Sequence, residues 1–216
     1  MLKMKKLAPF LTLTFLAFAG TLRAQSIPDQ ATLMAHAPAR FEAVFSTTQG
    51  EFTVEVIREW SPAGADRLYQ LLTTGFYRQN ALFRVQKNFV VQFGIGDSRE
   101  VNFFWDKRPI DDEPVAAENR KGTISYARDG MHSRTTQLFI NVKDNPKLDT
   151  VTYNGLRGFP PVARIIAGYE TVEKLYGEYG FEPANHQDTV MTAGNAYWKK
   201  KFPQLDYILD ARITKE

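Results

Sequence analysis

Residues 82–97 read LFRVQKNFVVQFGIGD, and this stretch decides the fold. LFRV sets one charged residue, Arg84, among apolar ones; QKN is a short polar break; FVVQFGI is a second apolar run that meets glycine. Apolar runs this short, bounded by turn residues, read as strands, because a helix needs a longer periodic stretch. The same rhythm continues outward on both sides. Upstream, FEAVF and EFTVEVI alternate apolar and polar residues across TTQG, which is a hairpin with a glycine-containing turn. Downstream, GTISYA, TQLFINV, PVARII and the closing LDYILDARI repeat the pattern. Two helices interrupt the series. One starts at Ser61-Pro62, with serine as N-cap and proline at the first helical position, presents Ala65, Leu68, Leu71 and Leu72 on one face, and ends at Gly75. The other is expected over about Tyr169–Tyr179. Together these elements predict a mainly β, closed antiparallel barrel capped by two α-helices.

The chain has 216 residues, enough for one domain plus processing segments. Lys3, Lys5 and Lys6, then the apolar Leu7 to Ala19, then Leu22-Arg23-Ala24 read as a secretory signal over residues 1–24. The apolar stretch is shorter than the ~20 residues a spanning helix needs. The expectation is therefore an exported protein without stable membrane insertion after cleavage, periplasmic in a Gram-negative cell and otherwise secreted. Residues 25–40 contain two prolines and no clean period, and read as an N-terminal arm or linker. Residues 41–216 form the domain, and the polar insertion at about 180–203 reads as a long loop before the last strand. With no Cys, disulfides and thiolate catalysis are excluded. The net charge is +3, and three lysines lie within the first six residues, so the remaining domain is close to neutral. Nothing in that balance calls for a nucleic-acid partner, and a monomer is expected.

Several chemistry-bearing residues carry no function by themselves. His36, His132 and His186 lie far apart, without carboxylates at ligand spacing, so no metal site is expected. Ser125 and Ser133 lack the G-x-S-x-G elbow of a nucleophile. Asp111, Asp112 and Glu113 read as a solvated acidic run in a loop, and Lys199 to Lys201 as a solvated basic one. Gly94-Ile95-Gly96-Asp97 is half of a phosphate-binding fingerprint, without a third glycine or a following helix. No cofactor is expected.

LFRVQKNFVVQFGIGD resembles the signature of the cyclophilin-type peptidyl-prolyl cis/trans isomerases, in which an aromatic–x–Arg–apolar strand turns into Phe, an apolar residue and a Gln two further on. Here these are Arg84, Phe89, Val90 and Gln92. GTISYARDG followed by TTQLFINV resembles the family's strand–loop–strand segment beside the proline pocket, giving Ala127, Arg128, Gln137 and Phe139. DNPKLD followed by GFPPVARI resembles the late pocket segment and supplies Leu148 and Phe159. SPAGADRLYQLLTTGFYRQN resembles the family's first helix and its exit turn. Taken singly, Arg84 is a strand arginine lying over apolar neighbours, and Phe89, Val90 and Phe139 are core residues. The set in its order, from about Phe41 to Tyr176, carries the resemblance.

The resemblance implies an eight-stranded cyclophilin-like barrel and an isomerase acting on proline-containing polypeptides as a folding catalyst. It implies a catalytic group of Arg84, Phe89 and Gln92. Phe89, Val90, Phe139 and Leu148 would cup the proline ring, Ala127, Gln137 and Phe159 would also bind substrate, and the backbone of Arg128 would hold the preceding residue. The chemistry suits those residue types. Amide rotation faces a barrier of ~18–20 kcal/mol, and a guanidinium is a fixed, always charged donor for the nitrogen lone pair that localises as the amide twists. Five positions depart from the family pattern: Phe83 stands for a His, Arg67 for an Asn, Val90 for a Met, Phe159 for a His and Lys147 for an aromatic. Lys147 removes an aromatic wall on which cyclosporin depends. The changes at Val90 and Lys147 motivate a second reading, a proline-peptide-binding module with little turnover. A third is a small-ligand barrel with a hollow lumen.

Overall fold

The computed structural model describes residues 25–216; the signal reading of residues 1–24 lies outside them. The arm is not a free linker. It forms one helical turn, α1 (Gln30–Leu33), capped by the Asp29 carboxylate, which accepts from the Thr32 N–H at 2.8 Å. Polar clasps then tie it down. Asp66 accepts from the Ala37 N–H at 2.8 Å, and Gln70 Nε2 donates to the carbonyls of Leu33 and Ala35.

The hairpin follows as expected, with β1 (Arg40–Thr47) and β2 (Gly50–Ile57) antiparallel and Phe45 opposite Phe52. Strict alternation sends Phe41, Ala43, Phe45, Phe52, Val54 and Val56 inward, and all are buried. Helix α2 (Pro62–Thr73) packs Ala65, Leu68, Leu71 and Leu72 on this layer. Ser61 precedes it but makes no side-chain cap bond. Its hydroxyl donates to the Glu113 carboxylate instead, and that carboxylate accepts the orphan Ala63 N–H at 2.7 Å. A carboxylate 50 residues away thus serves the positive helix end.

Three short strands come next: β3 (Asn80–Ala81), β4 (Arg84–Val85) and β5 (Val90–Phe93). Helix α3 (Arg99–Asp106) follows, then β6 (Thr123–Tyr126), β7 (Leu138–Asn141), the turn α4 (Lys147–Thr150), and the small hairpin β8 (Thr152–Tyr153) and β9 (Leu156–Arg157). The chain closes with β10 (Pro161–Ala167), α5 (Tyr169–Glu173), a 3₁₀ turn at Glu182–His186, α6 (Gln187–Ala193), α7 (Asn195–Lys201) and β11 (Tyr207–Lys215).

The expected closed eight-stranded barrel with two helices is corrected to a curled nine-stranded sheet, ordered β3-β11-β1-β2-β10-β6-β7-β5-β4, with several helices. No ladder joins its edges, β3 and β4, although only Leu82 and Phe83 separate them in sequence. The reason lies in those two residues. Leu82 and Val85, three residues apart, both bury in the main core, and Phe83 buries in a second, smaller one, so the period of two does not run unbroken from β3 into β4. The sheet interior is filled by Phe45 stacked on Phe52 (5.1 Å) and edge-on to Phe93 (6.1 Å). That leaves no lumen for a carried ligand.

Three further expectations change. The helix read over Tyr169–Tyr179 stops at Glu173. The segment read as a long loop at 180–203 is mostly helical, because Val190, Trp198 and Phe202 form an apolar face and bury with Phe83, Ile95, Ala184 and Leu205. Gly194 lets its two helices join: it adopts φ +62°, and a Cβ there would lie 2.5 Å from the Asp97 carbonyl oxygen. Helix α3 does follow the glycine pair 94–96, capped by Ser98. Its loop amides are already bound, however, Gly96 N–H to Asn102 Oδ1 and those of Asp97 and Ser98 to Gln25 Oε1, which leaves no phosphate cradle. The acidic run is also only partly solvated. Asp111 is exposed, but Glu113 pairs at 3.0 Å with the fully buried Arg134.

Candidate active site

Sheet register assembles the site. Arg84 on β4 lies opposite Gln92 on β5, and Gln92 opposite Phe139 on β7. Cross-strand partners share a face of the sheet, so the three side chains stand in one row. Their chain neighbours Val85, Val91 and Ile140 form the matching row on the opposite face and bury in the main core. The period of two in the sequence therefore separates chemistry from core.

That row opens on a cavity of about 890 Å³. All ten residues singled out from the sequence line it: Arg84, Phe89, Val90, Gln92, Ala127, Arg128, Gln137, Phe139, Leu148 and Phe159. Arg84 is half-buried and held from several sides. Its Nε donates to Gln86 Oε1 at 2.8 Å and its Nη1 to Gln92 Oε1 at 3.0 Å. Gln92 Nε2 then donates to Gln137 Oε1 at 2.9 Å, which fixes the orientation of the Gln92 amide. Nη2 takes no hydrogen bond within the described residues, and Arg84 lines the cavity. Burial lowers the pKa of the Arg84 guanidinium from its ordinary value, yet arginine keeps its charge in proteins.

The apolar side of the cavity is Phe89, Val90, Phe139, Leu148 and Phe159, with Phe139 and Phe159 edge-to-face at 5.9 Å. A buried polar scaffold stands behind it. Asn119 Nδ2 donates to the Phe159 carbonyl and to Asp149, each at 2.8 Å, and its Oδ1 accepts from Ser125 and Asn141. Asn145 Nδ2 holds the Phe89 carbonyl at 3.0 Å. Ser125 and Ser133 are thus structural, the latter closing its own turn on Asp129 and Gly130. The Arg128 side chain donates to the carbonyls of Tyr153, Leu156 and Gly158 and lies 4.3 Å over the Phe159 ring. It braces the hairpin that carries this wall. Lys147 is exposed on α4 and does not line the cavity.

A second wall was not foreseen. Phe103 and Asp106 reach the cavity from α3, and Phe181, Ala184, Asn185, Gln187, Asp188 and Met191 from the insertion. The amphipathic spacing of Val101, Asn102 and Trp105 was the available signal for α3. For the insertion the signal was the apolar spacing of Val190, Trp198 and Phe202.

The family described as cyclophilin type peptidyl-prolyl cis-trans isomerase/CLD matches residues 43–194. The chain belongs to that family. Peptidyl-prolyl cis-trans isomerase B of Escherichia coli is 29% identical over 150 residues, covering 67% of this chain and 89% of that protein. A cyclophilin type peptidyl-prolyl cis-trans isomerase from Cryptosporidium parvum superposes with a TM-score of 0.59 at 18% identity, over 82% of this chain and 99% of that one. The structure of the same protein determined in the presence of the dipeptide Ala-Pro gives a TM-score of 0.58 at 18% identity, over 81% of this chain and 99% of that one. The cyclophilin match begins inside β1 and ends at residue 194, so it runs out within the helical insertion.

Proposed function

We propose that this cyclophilin accelerates rotation about X–Pro bonds in unfolded or newly exported chains, as a monomeric folding catalyst outside the cytoplasm, and that Arg84 is its principal catalytic group. The observation that carries the proposal is the Gln86–Arg84–Gln92–Gln137 chain, which holds a guanidinium that lines a cavity with an apolar cup beside it. Rotation breaks no covalent bond, so positioning and electrostatics suffice. The proline ring sits in the cup of Phe89, Val90, Phe139 and Leu148. As the amide twists, its nitrogen lone pair localises and accepts from Arg84. That bond is strong only in the twisted state, so it lowers the barrier without tightening substrate equally. The Ala-Pro dipeptide present with the Cryptosporidium protein supports a proline seat in this fold. The lysine-rich start and apolar run of residues 3–19 support export.

The test is the cis-to-trans rate of a prolyl peptide with and without Arg84→Ala. A loss of about 10²–10³-fold in kcat/KM is expected, the cost of removing one preorganised donor. The binding-module reading draws on Lys147, which leaves one side of the cup without an aromatic. It would prevail if the intact protein bound the peptide without accelerating exchange.

A further inference from the structure

The insertion grips the catalytic strand from two directions. Phe83, next to Arg84, is fully buried and stacks on Trp198 of α7 with ring centres 5.9 Å apart and planes 10° apart. This explains a phenylalanine at 83: the side chain is the keel of the insertion's own core. On the cavity side, Phe181 lies with its ring centre 4.8 Å from the Arg84 guanidinium carbon, and Phe89 with its at 5.4 Å. The segment before Phe181 is pinned to the turn after Arg84, where Lys87 pairs with Glu178 at 2.8 Å. Asn195 anchors the far end, its N–H donating to Asp97 at 2.7 Å and its amide to the Gln79 carbonyl at 2.6 Å.

Phe181 is 46% exposed. It belongs to neither apolar cluster, and its ring lies over the Arg84 guanidinium. An arginine side chain has several rotatable bonds, and each well it visits away from the substrate subtracts from the reactive population. Gln86 and Gln92 fix the edge of the guanidinium. Their hydrogen bonds tie Nε and Nη1, and the two rings against the guanidinium carbon add to the restraint on its plane.

We infer that Phe181 is a positioning residue: the helical insertion supplies a ring that, with Phe89, holds the plane of Arg84 and so keeps Nη2 directed at the twisting prolyl amide. The inference rests on the isomerase reading of Arg84. Phe181→Ala lowers kcat by about 3- to 10-fold, the worth of one cation–π contact, with KM changing less than about twofold. Phe181→Leu, which keeps apolar bulk but no ring face, behaves like the alanine variant, and Phe181→Tyr restores the rate. The Arg84 Nε–H resonance reports the ring independently of turnover, and it shifts on Phe181→Ala while the melting temperature holds. An unchanged kcat in the alanine and leucine variants overturns the inference. So does an effect confined to KM, which would make Phe181 a substrate contact. Normal wild-type turnover with an insensitive Phe181 removes this inference alone; no wild-type turnover removes the isomerase reading and this inference with it.

Discussion

The cavity has one wall of paired strands and one of short helices, and they are held by different forces. On the strand wall, Arg84, Gln92 and Phe139 are placed by the backbone ladder, and Asn119 and Asn145 satisfy the polar groups behind them. On the helical wall no ladder operates. The α6 and α7 helices have seven residues each, too short to persist in water, and stand because Trp198, Val190, Phe202 and Leu205 bury against Phe83 and Ile95. A ladder fixes side chains to within a pleat. A small apolar cluster fixes them only as well as its packing, and opens more easily. Arg84 lies between the two.

Trp198→Ala should separate the walls most sharply. Removing the largest side chain of the second cluster costs about 3–5 kcal/mol. Hydrogen exchange should rise over residues 182–202 while β5, β6 and β7 stay protected. Simultaneous opening of both would show that the walls are one cooperative unit.

Asn119→Ala attacks the other wall. It strands the Phe159 carbonyl and leaves the buried Ser125 hydroxyl without its acceptor, at a cost of about 2–3 kcal/mol. The cup loosens, so KM for prolyl peptides should rise while the Arg84 Nε–H resonance stays in place. A change confined to kcat would contradict the assignment of Asn119 to the cup.

The smallest effect lies outside both walls. Burial opposes ionisation of Asp66, but hydrogen bonds from Arg58, His36 and the Ala37 N–H, together with the Arg58 charge, outweigh it and hold the carboxyl below its ordinary value of 3.8. A carboxyl depressed on folding contributes stability that is complete above its unfolded value and is lost as pH falls through the folded one. Asp66→Asn should therefore cost about 0.5–1 kcal/mol at neutral pH. Denaturation curves of variant and wild type should converge below pH 3.8. Activity should be untouched, because Asp66 clasps the arm and does not border the cavity.

The strand wall was legible because its signal is local. Alternation in LFRV and VVQF already divides Arg84 and Gln92 from Val85 and Val91, and the resemblance supplied Leu148 and Phe159 from a turn and hairpin with no clear period. The helical wall was missed because Lys199, Lys200, Lys201 and Asp188 dominate the composition of a segment whose apolar positions are few. Sequence proximity points to Ser61 as the cap of α2, whereas Glu113 fills that role from across the fold.

The sequence by itself determined which strand positions share a face, because side-chain alternation is a property of the strand. It determined the family as well, through residues that recur in order. Only the tertiary structure decided that the sheet stays open at β3 and β4, that residues 182–201 are helical, and that Phe181 meets Arg84. The partner of Phe83, Trp198, lies 115 residues further along the chain, and no local pattern encodes a pairing over that distance.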